Sequence, residues 1–232
     1  MKQHLVFGFL IIFINNAFAQ TSAITSDIVS PKELATLLTD SIKKEMKINL
    51  PVYRVYRYVD KSGTHYCILT ESSDVIKDND TLHQTIKAVN LVQKDGNLSK
   101  AWEMNDNIIK SEQEENSIWF WTKYMEFRDY NEDSLIDPFL IYGTSGYDGT
   151  SNGRIKILIY YKGQKVAIRH QNGVLDFERE TQVDQAFYNL PLSLQSAVQK
   201  KMELMTKNNV AIFPAGWQTA MKNRKLVFNE RK

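Results

Sequence analysis

The sequence predicts an α+β domain: an antiparallel β-meander with an N-terminal helix and C-terminal helices. Three observations carry that class. Residues 31–47 and 191–208 place apolar side chains at helical spacing near the two ends of the chain. Between them lies a succession of aromatic and β-branched runs. Short turns rich in Gly, Asn and Asp join these runs, so neighbouring strands run antiparallel.

Taken in order, the chain opens on Met1-Lys2-Gln3-His4, a nearly unbroken apolar run over 5–13, and Ala17-Phe18-Ala19 before Gln20. This is the pattern of a cleaved signal peptide over 1–19 and places the protein outside the cytoplasm, periplasmic or secreted. The apolar run is too short to span a bilayer, and no later segment is long enough, so no transmembrane segment is expected after cleavage. Residues 20–29 are polar and read as a flexible lead-in. Residues 30–232 read as one α+β domain.

Ser30-Pro31-Lys32-Glu33 has the form of a helix start, with Ser30 as cap and Pro31 in the first turn. Leu34, Leu37, Leu38, Ile42 and Met46 then extend one helix over 31–47. Strands follow at 51–58 and 64–70 around an Asp60–Gly63 turn, and at 82–93 and 98–105 around Asp95-Gly96, with a polar loop over 71–80. Residues 117–127 form a dense aromatic strand, 139–142 another, and 143–153, with four glycines in eleven residues, a long exposed loop. In 154–161 the side chains of Ile155, Ile157 and Ile159 alternate onto one face. Residues 165–170 return, a short run reaches 177, and helices close the chain at 191–208 and 217–223.

The formal net charge is +2, falling to about +1 once Lys2 leaves with the signal. That near-neutral balance argues against a nucleic-acid partner. Cys67 is the sole cysteine, which excludes an intrachain disulfide; its apolar neighbours make it a buried thiol.

The sharpest chemical signal is the stretch 129–137. Asp129, Asn131, Asp133 and Asp137 occupy positions 1, 3, 5 and 9 of a calcium-type loop, and the Leu135 carbonyl falls at position 7. Ca²⁺ is therefore the expected cofactor. Two departures stand out: position 6 is Ser134, where glycine is usual for a left-handed turn, and position 12 is Leu140, where a helix–loop–helix hand carries glutamate. The strand on either side resembles the setting of FG-GAP-type calcium loops of secreted β-proteins. A second candidate cluster is Arg169, His170 and Asn172 at a strand end, suited to an anionic or sugar-like group or, with a carboxylate, to general-base chemistry. His65, His83 and His170 lack zinc spacing, and no serine sits in a Gly-x-Ser-x-Gly elbow. Trp119, Trp121 and Tyr124 read as part of a buried central strand rather than a sugar-stacking face.

Four blocks resemble a family of small exported proteins of Bacteroidetes-type bacteria linked by name to surface-polysaccharide (lipopolysaccharide) biosynthesis. They are Trp119-Phe120-Trp121-Thr122-Lys123-Tyr124, Ile141-Tyr142-Gly143-Thr144-Ser145-Gly146, Gly153-Arg154-Ile155-Lys156-Ile157 and Ile168-Arg169-His170-Gln171-Asn172-Gly173. The resemblance spans about 100–230 and carries over no catalytic residues. It implies a process, surface-polysaccharide biosynthesis, rather than a reaction. Taken with the signal peptide and the calcium-type loop, the leading reading is an exported, non-enzymatic cell-envelope protein supporting surface-polysaccharide assembly, with an envelope glycan or envelope protein as partner. The alternative is an envelope hydrolase or transferase acting on glycans through His170 and carboxylates of 129–137.

Overall fold

A computed structural model describes residues 26–77, 80–110 and 115–231, so the expected signal peptide lies outside the described residues. Strand β1 (Asp27–Ile28) pairs with the second strand of the chain, so the expected lead-in already joins the fold at its end. The Ser30 hydroxyl accepts the Glu33 N–H at 3.3 Å and starts α1 (Pro31–Leu37). Thr39 then caps a second helix, α2 (Asp40–Met46), by accepting from Ile42 N at 3.3 Å. The single helix expected over 31–47 is thus two short ones, because a side chain that competes for backbone N–H groups interrupts the apolar stripe.

The first sheet follows. Strands β2 (Val52–Asp60) and β3 (Gly63–Glu71) form a hairpin. A small separate hairpin, β4 (Val75–Lys77) with β5 (Asp80–Leu82), occupies part of the stretch expected as loop. Strands β6 (Thr85–Lys94) and β7 (Asn97–Asn107) complete a five-stranded antiparallel sheet of order β1-β2-β3-β6-β7.

The second sheet uses the rest of the chain. The aromatic run breaks into β8 (Ser117–Phe120) and β9 (Glu126–Arg128). Then come β10 (Asp137–Ser145), β11 (Arg154–Tyr161), β12 (Gln164–Gln171) and β13 (Glu180–Val183). Helices α3 (Leu192–Lys207) and α4 (Trp217–Lys222) precede a last strand, β14 (Val227–Asn229). The order is β14-β13-β12-β11-β10-β8, with β9 also on β10. Strands β13 and β14 were not expected; at four and three residues they are too short to show a period.

The expected α+β meander is therefore wrong at the level of class. The two antiparallel sheets stack face to face as a β-sandwich, one built from 27–107 and the other from 117–229. Tyr56, Tyr58, Cys67, Leu69 and Met104 of the first sheet meet Phe120, Phe127, Leu140, Leu158 and Tyr160 of the second in one core. The outer faces are buried as well. Ile141, Ile155, Ile157 and Ile168 pack with Leu194, Val198, Met202 and Met205 of α3. On the far side Ile68, Val89 and Leu91 pack with Leu38 and Met46. Strands covered on both faces read as near-continuous apolar runs, which is how 139–142 and 66–69 read. Cys67 is fully buried, and burial pushes its thiol pKa up.

The glycine-rich stretch is also corrected. Gly143 and Thr144 lie buried inside β10, and Gly153 is buried at the entrance to β11. A Cβ on Gly143 would lie 2.8 Å from the Arg154 carbonyl oxygen and against the Trp121 ring. A Cβ on Gly153 would overlap the Thr144 carbonyl. These glycines permit close approach of backbone; only the turn at 147–149 is exposed.

Candidate functional site

The 129–137 loop connects β9 to β10 and is fixed by its own carboxylates. Asp129 accepts the N–H groups of Asp133 (3.2 Å) and Ser134 (2.7 Å). Asp133 accepts the Leu135 N–H at 3.0 Å and the Asn131 side-chain amide at 3.0 Å. Ser134 takes φ 65°, the left-handed turn expected of glycine at position 6, and Glu132 takes φ 60°. Asp137 accepts from Tyr130 N at 3.2 Å and is buried at the start of β10. Burial, with the Asp133 and Asp129 charges, pushes its pKa up to about 7. Leu140 faces the sandwich core, so position 12 supplies no ligand.

Among the described residues no three His, Cys, Asp or Glu side chains converge as a ready-made metal group. The loop nonetheless fits a hard cation. Among the described residues Asn131 Oδ1 is buried without a hydrogen-bond partner, and it is the oxygen assigned to position 3. Among the described residues each side-chain oxygen of Asp129 and Asp133 accepts a single hydrogen bond, which leaves a lone pair for an ion. Asp129, Asn131, Asp133, the Leu135 carbonyl and Asp137 would hold Ca²⁺, which supplies charge neutralisation and rigidity there.

The loop closes one end of the sandwich. Ile136 N donates to Asp60 Oδ2 at 3.1 Å, Lys61 N donates to Ser134 O at 3.1 Å, and Lys61 Nζ reaches Asp133 O at 2.5 Å. These bonds join the β2–β3 turn of one sheet to the second sheet. Between the sheets at this end is a cleft of about 540 Å³, bordered by Trp102, Leu135, Ile136, Pro138 and Tyr160. Trp102 and Tyr160 stack with ring centroids 3.8 Å apart.

A chain of hydrogen bonds forms the polar part of the lining. Tyr58 OH donates to Asn90 Oδ1 at 3.2 Å, and Asn90 Nδ2 donates to His65 Nδ1 at 3.0 Å. His65 Nε2–H therefore faces Ser62 Oγ at 2.8 Å, and the Ser62 hydroxyl donates to Asp60 Oδ1 at 2.5 Å. Burial alone would raise the Asp60 pKa. The bonds from His65, Ser62 and Ile136 outweigh it and hold the carboxyl below the usual range. In this arrangement the Ser62 proton is directed at Asp60 and His65 presents a donor, so Ser62 is not set up as a nucleophile.

No family model, curated protein or solved structure matches the chain. The reading of the site therefore rests on its geometry. Among the described residues no helix is long and apolar enough to cross a membrane.

The Arg169, His170 and Asn172 side chains do not converge, although Arg169 and His170 both border a surface pocket of about 280 Å³ with Arg154, Lys156 and Glu180. Arg169 and His170 are adjacent in β12 and point to opposite faces. Arg169 pairs with Asp184 at 2.6 Å. Asn172 donates to Thr150 O and Val210 O and accepts from Ile212 N at 2.8 Å, which orients its amide. His170 Nε2 then donates to Asn172 Oδ1 at 2.9 Å, and Nδ1 lies 2.9 Å from the Thr181 hydroxyl and 3.0 Å from the Glu180 carbonyl oxygen. Burial lowers the His170 pKa to about 4. These residues lock the segment after α3 onto the sheet. His170 pairs with Ile155, which pairs with Gly143, whereas Asp137 begins β10. Six residues of strand put the two about 20 Å apart, so the constellation of the glycan-acting alternative is not assembled.

The cleft residues were missed at the level of sequence. The available signal was a polar side chain inside an apolar strand: Asn90 within Ala88-Val89-Asn90-Leu91-Val92, and His65 beside Tyr66-Cys67-Ile68-Leu69. Buried polar groups in such runs are either structural pairs or site residues.

Proposed function

We propose that the protein is an exported, non-enzymatic component of the cell envelope in which a Ca²⁺-loaded 129–137 loop clasps the two sheets together. The observation that carries this reading is the loop's position. It has the left-handed turn at Ser134 and the unpartnered Asn131 oxygen of a cation loop, and it hydrogen-bonds across to Asp60 and Lys61 of the other sheet. The non-enzymatic reading is supported by the inward-paired Ser62 and the structurally engaged His170. Surface-polysaccharide assembly is the process in which we place it, on the resemblance of 119–124, 141–146, 153–157 and 168–173. The envelope-glycan profile of a deletion strain tests that placement; an unchanged profile removes it.

Thermal unfolding tests the cation. A ligand bound only to the native state stabilises by about 2.7 kcal/mol at a hundredfold excess over Kd, so Tm should rise by roughly 5–10 °C with calcium relative to chelator. Replacing Asp129 and Asp133 by Ala should abolish the rise. An unchanged Tm at millimolar calcium would remove the metal from the reading.

A further inference from the structure

The cleft between the sheets shares Asp60, Leu135 and Ile136 with the clasp, but its volume, about 540 Å³, is that of a small-molecule site, which a clasp alone does not require. We propose that it binds a single-chain anionic amphiphile of the fatty-carboxylate class, with the chain between the sheets and the carboxylate at Lys94 and Lys162.

Three observations select this class. The walls are apolar: Val92, Trp102, Leu135, Ile136, Pro138 and Tyr160 come from both sheets and the connecting loop. Such a lining favours a ligand that removes apolar surface from water, at roughly 25 cal/mol per Å². Five polar residues of the lining are engaged with one another, while among the described residues Tyr160 Oη is buried without a partner. Tyr58, Asn90, His65, Ser62 and Asp60 form a closed chain of bonds, so a polyhydroxylated ligand reaching them would have to break existing pairs. The cations lie at the exposed rim. Lys94 ends β6 and Lys162 begins the turn after β11, both with exposed side chains, and both border the cleft. Of the nearby acids, Asp60 is turned inward to Ser62 and His65, and Asp133 lies 3.7 Å from Lys162. A carboxylate at the mouth would sit between two flexible ammonium groups while its chain lies against Trp102.

Calorimetric titration of the full chain with dodecanoate, below its micelle concentration and in buffer without free calcium, which precipitates fatty carboxylates, tests the proposal. Saturable binding of one molecule per chain is expected. Ala101→Trp, on the cleft side of the edge strand, should weaken it by about tenfold or more by filling the volume. Lys94→Glu with Lys162→Glu should weaken dodecanoate by about tenfold and leave dodecanol binding unchanged. Dodecyltrimethylammonium should bind more weakly than dodecanoate to the native chain and gain on the double variant. Absent binding overturns the proposal, as does equal affinity for both head groups. If Ala101→Trp does not fold, the lysine variant decides, because its exposed side chains take no part in the core. The calcium shift in Tm is read separately, so a failed titration leaves the loop reading intact and a missing calcium shift leaves the cleft reading intact.

Discussion

His170 shows how one residue type in one context can be misread as a site. In sequence it stands between Arg169 and Asn172 with carboxylates close by, and that crowding suggests a polar pocket. The strand period separates Arg169 from His170, and burial makes the histidine a neutral hydrogen-bonding post. This role has a pH signature. The folded pKa, about 4, lies below the unfolded value of about 6.5, so the unfolded state binds the proton first. The histidine's contribution is complete above pH 6.5 and is lost as pH falls through 4, amounting to about 3 kcal/mol across that window. Urea melts of native chain and His170→Gln between pH 7.5 and 4 check this. The variant should be less stable at pH 7.5 by about 1–3 kcal/mol, because Thr181 and Asn172 lose a partner, and should show a shallower acid slope. Equal slopes would mean that the imidazole is not the titrating group. The tight curl of 129–137 was legible at this same scale, because spacing by two is a local property. Its left-handed Ser134 was legible only as an absence of glycine.

At the scale of elements, the β2–β3 and β6–β7 hairpins, the β11–β12 pair and α3 were readable because period and turn chemistry agree in each. The glycine-rich stretch was not, because glycine serves two ends. It opens turns, and it lets chains approach where a Cβ would collide, and composition does not distinguish them. The structure makes the difference measurable. Gly149 has φ 64° with open space around it, whereas Gly153 meets the Thr144 carbonyl and Gly143 meets Trp121. Gly149→Ala should cost about 1 kcal/mol from backbone strain alone. Gly143→Ala and Gly153→Ala should each cost about 3 kcal/mol or more, since buried backbone must move. Thermal melts of the three variants suffice. Similar small losses in all three would restore the exposed-loop reading. The break between α1 and α2 belongs here as well: Thr39 was visible, but its choice of cap over helix interior depends on where Leu38 packs.

The whole molecule was the least legible, since a sequence records the faces of strands and not which sheet covers them. Runs buried on both sides carry no alternation to say that one face meets helices and the other a second sheet. Once the sheets are stacked, two polar clasps hold their opposite ends. At one end Asp60 takes the Ile136 N–H across the sandwich. At the other, Arg154 of β11 pairs with Glu115 at 2.5 and 2.8 Å and reaches Asp106 of β7 at 3.5 Å, while Lys156 and Tyr142 also meet Asp106. Gly63 and Glu71 bound β3, so its eight intervals set the clasps about 25 Å apart. Asp60→Asn removes a charged acceptor and should cost about 2 kcal/mol; Glu115→Gln leaves a half-buried guanidinium short of charge and should cost about 2–3 kcal/mol. If each sheet is a rigid layer and the sandwich unfolds as one unit, the double variant should lose the sum within about 0.5 kcal/mol. Denaturant melts followed by tryptophan fluorescence and by far-UV circular dichroism give both tests at once. Non-coincident transitions, or a loss well short of the sum, would show that the sheets separate before they unfold and that the mouth beside Asp60 opens independently of the far end.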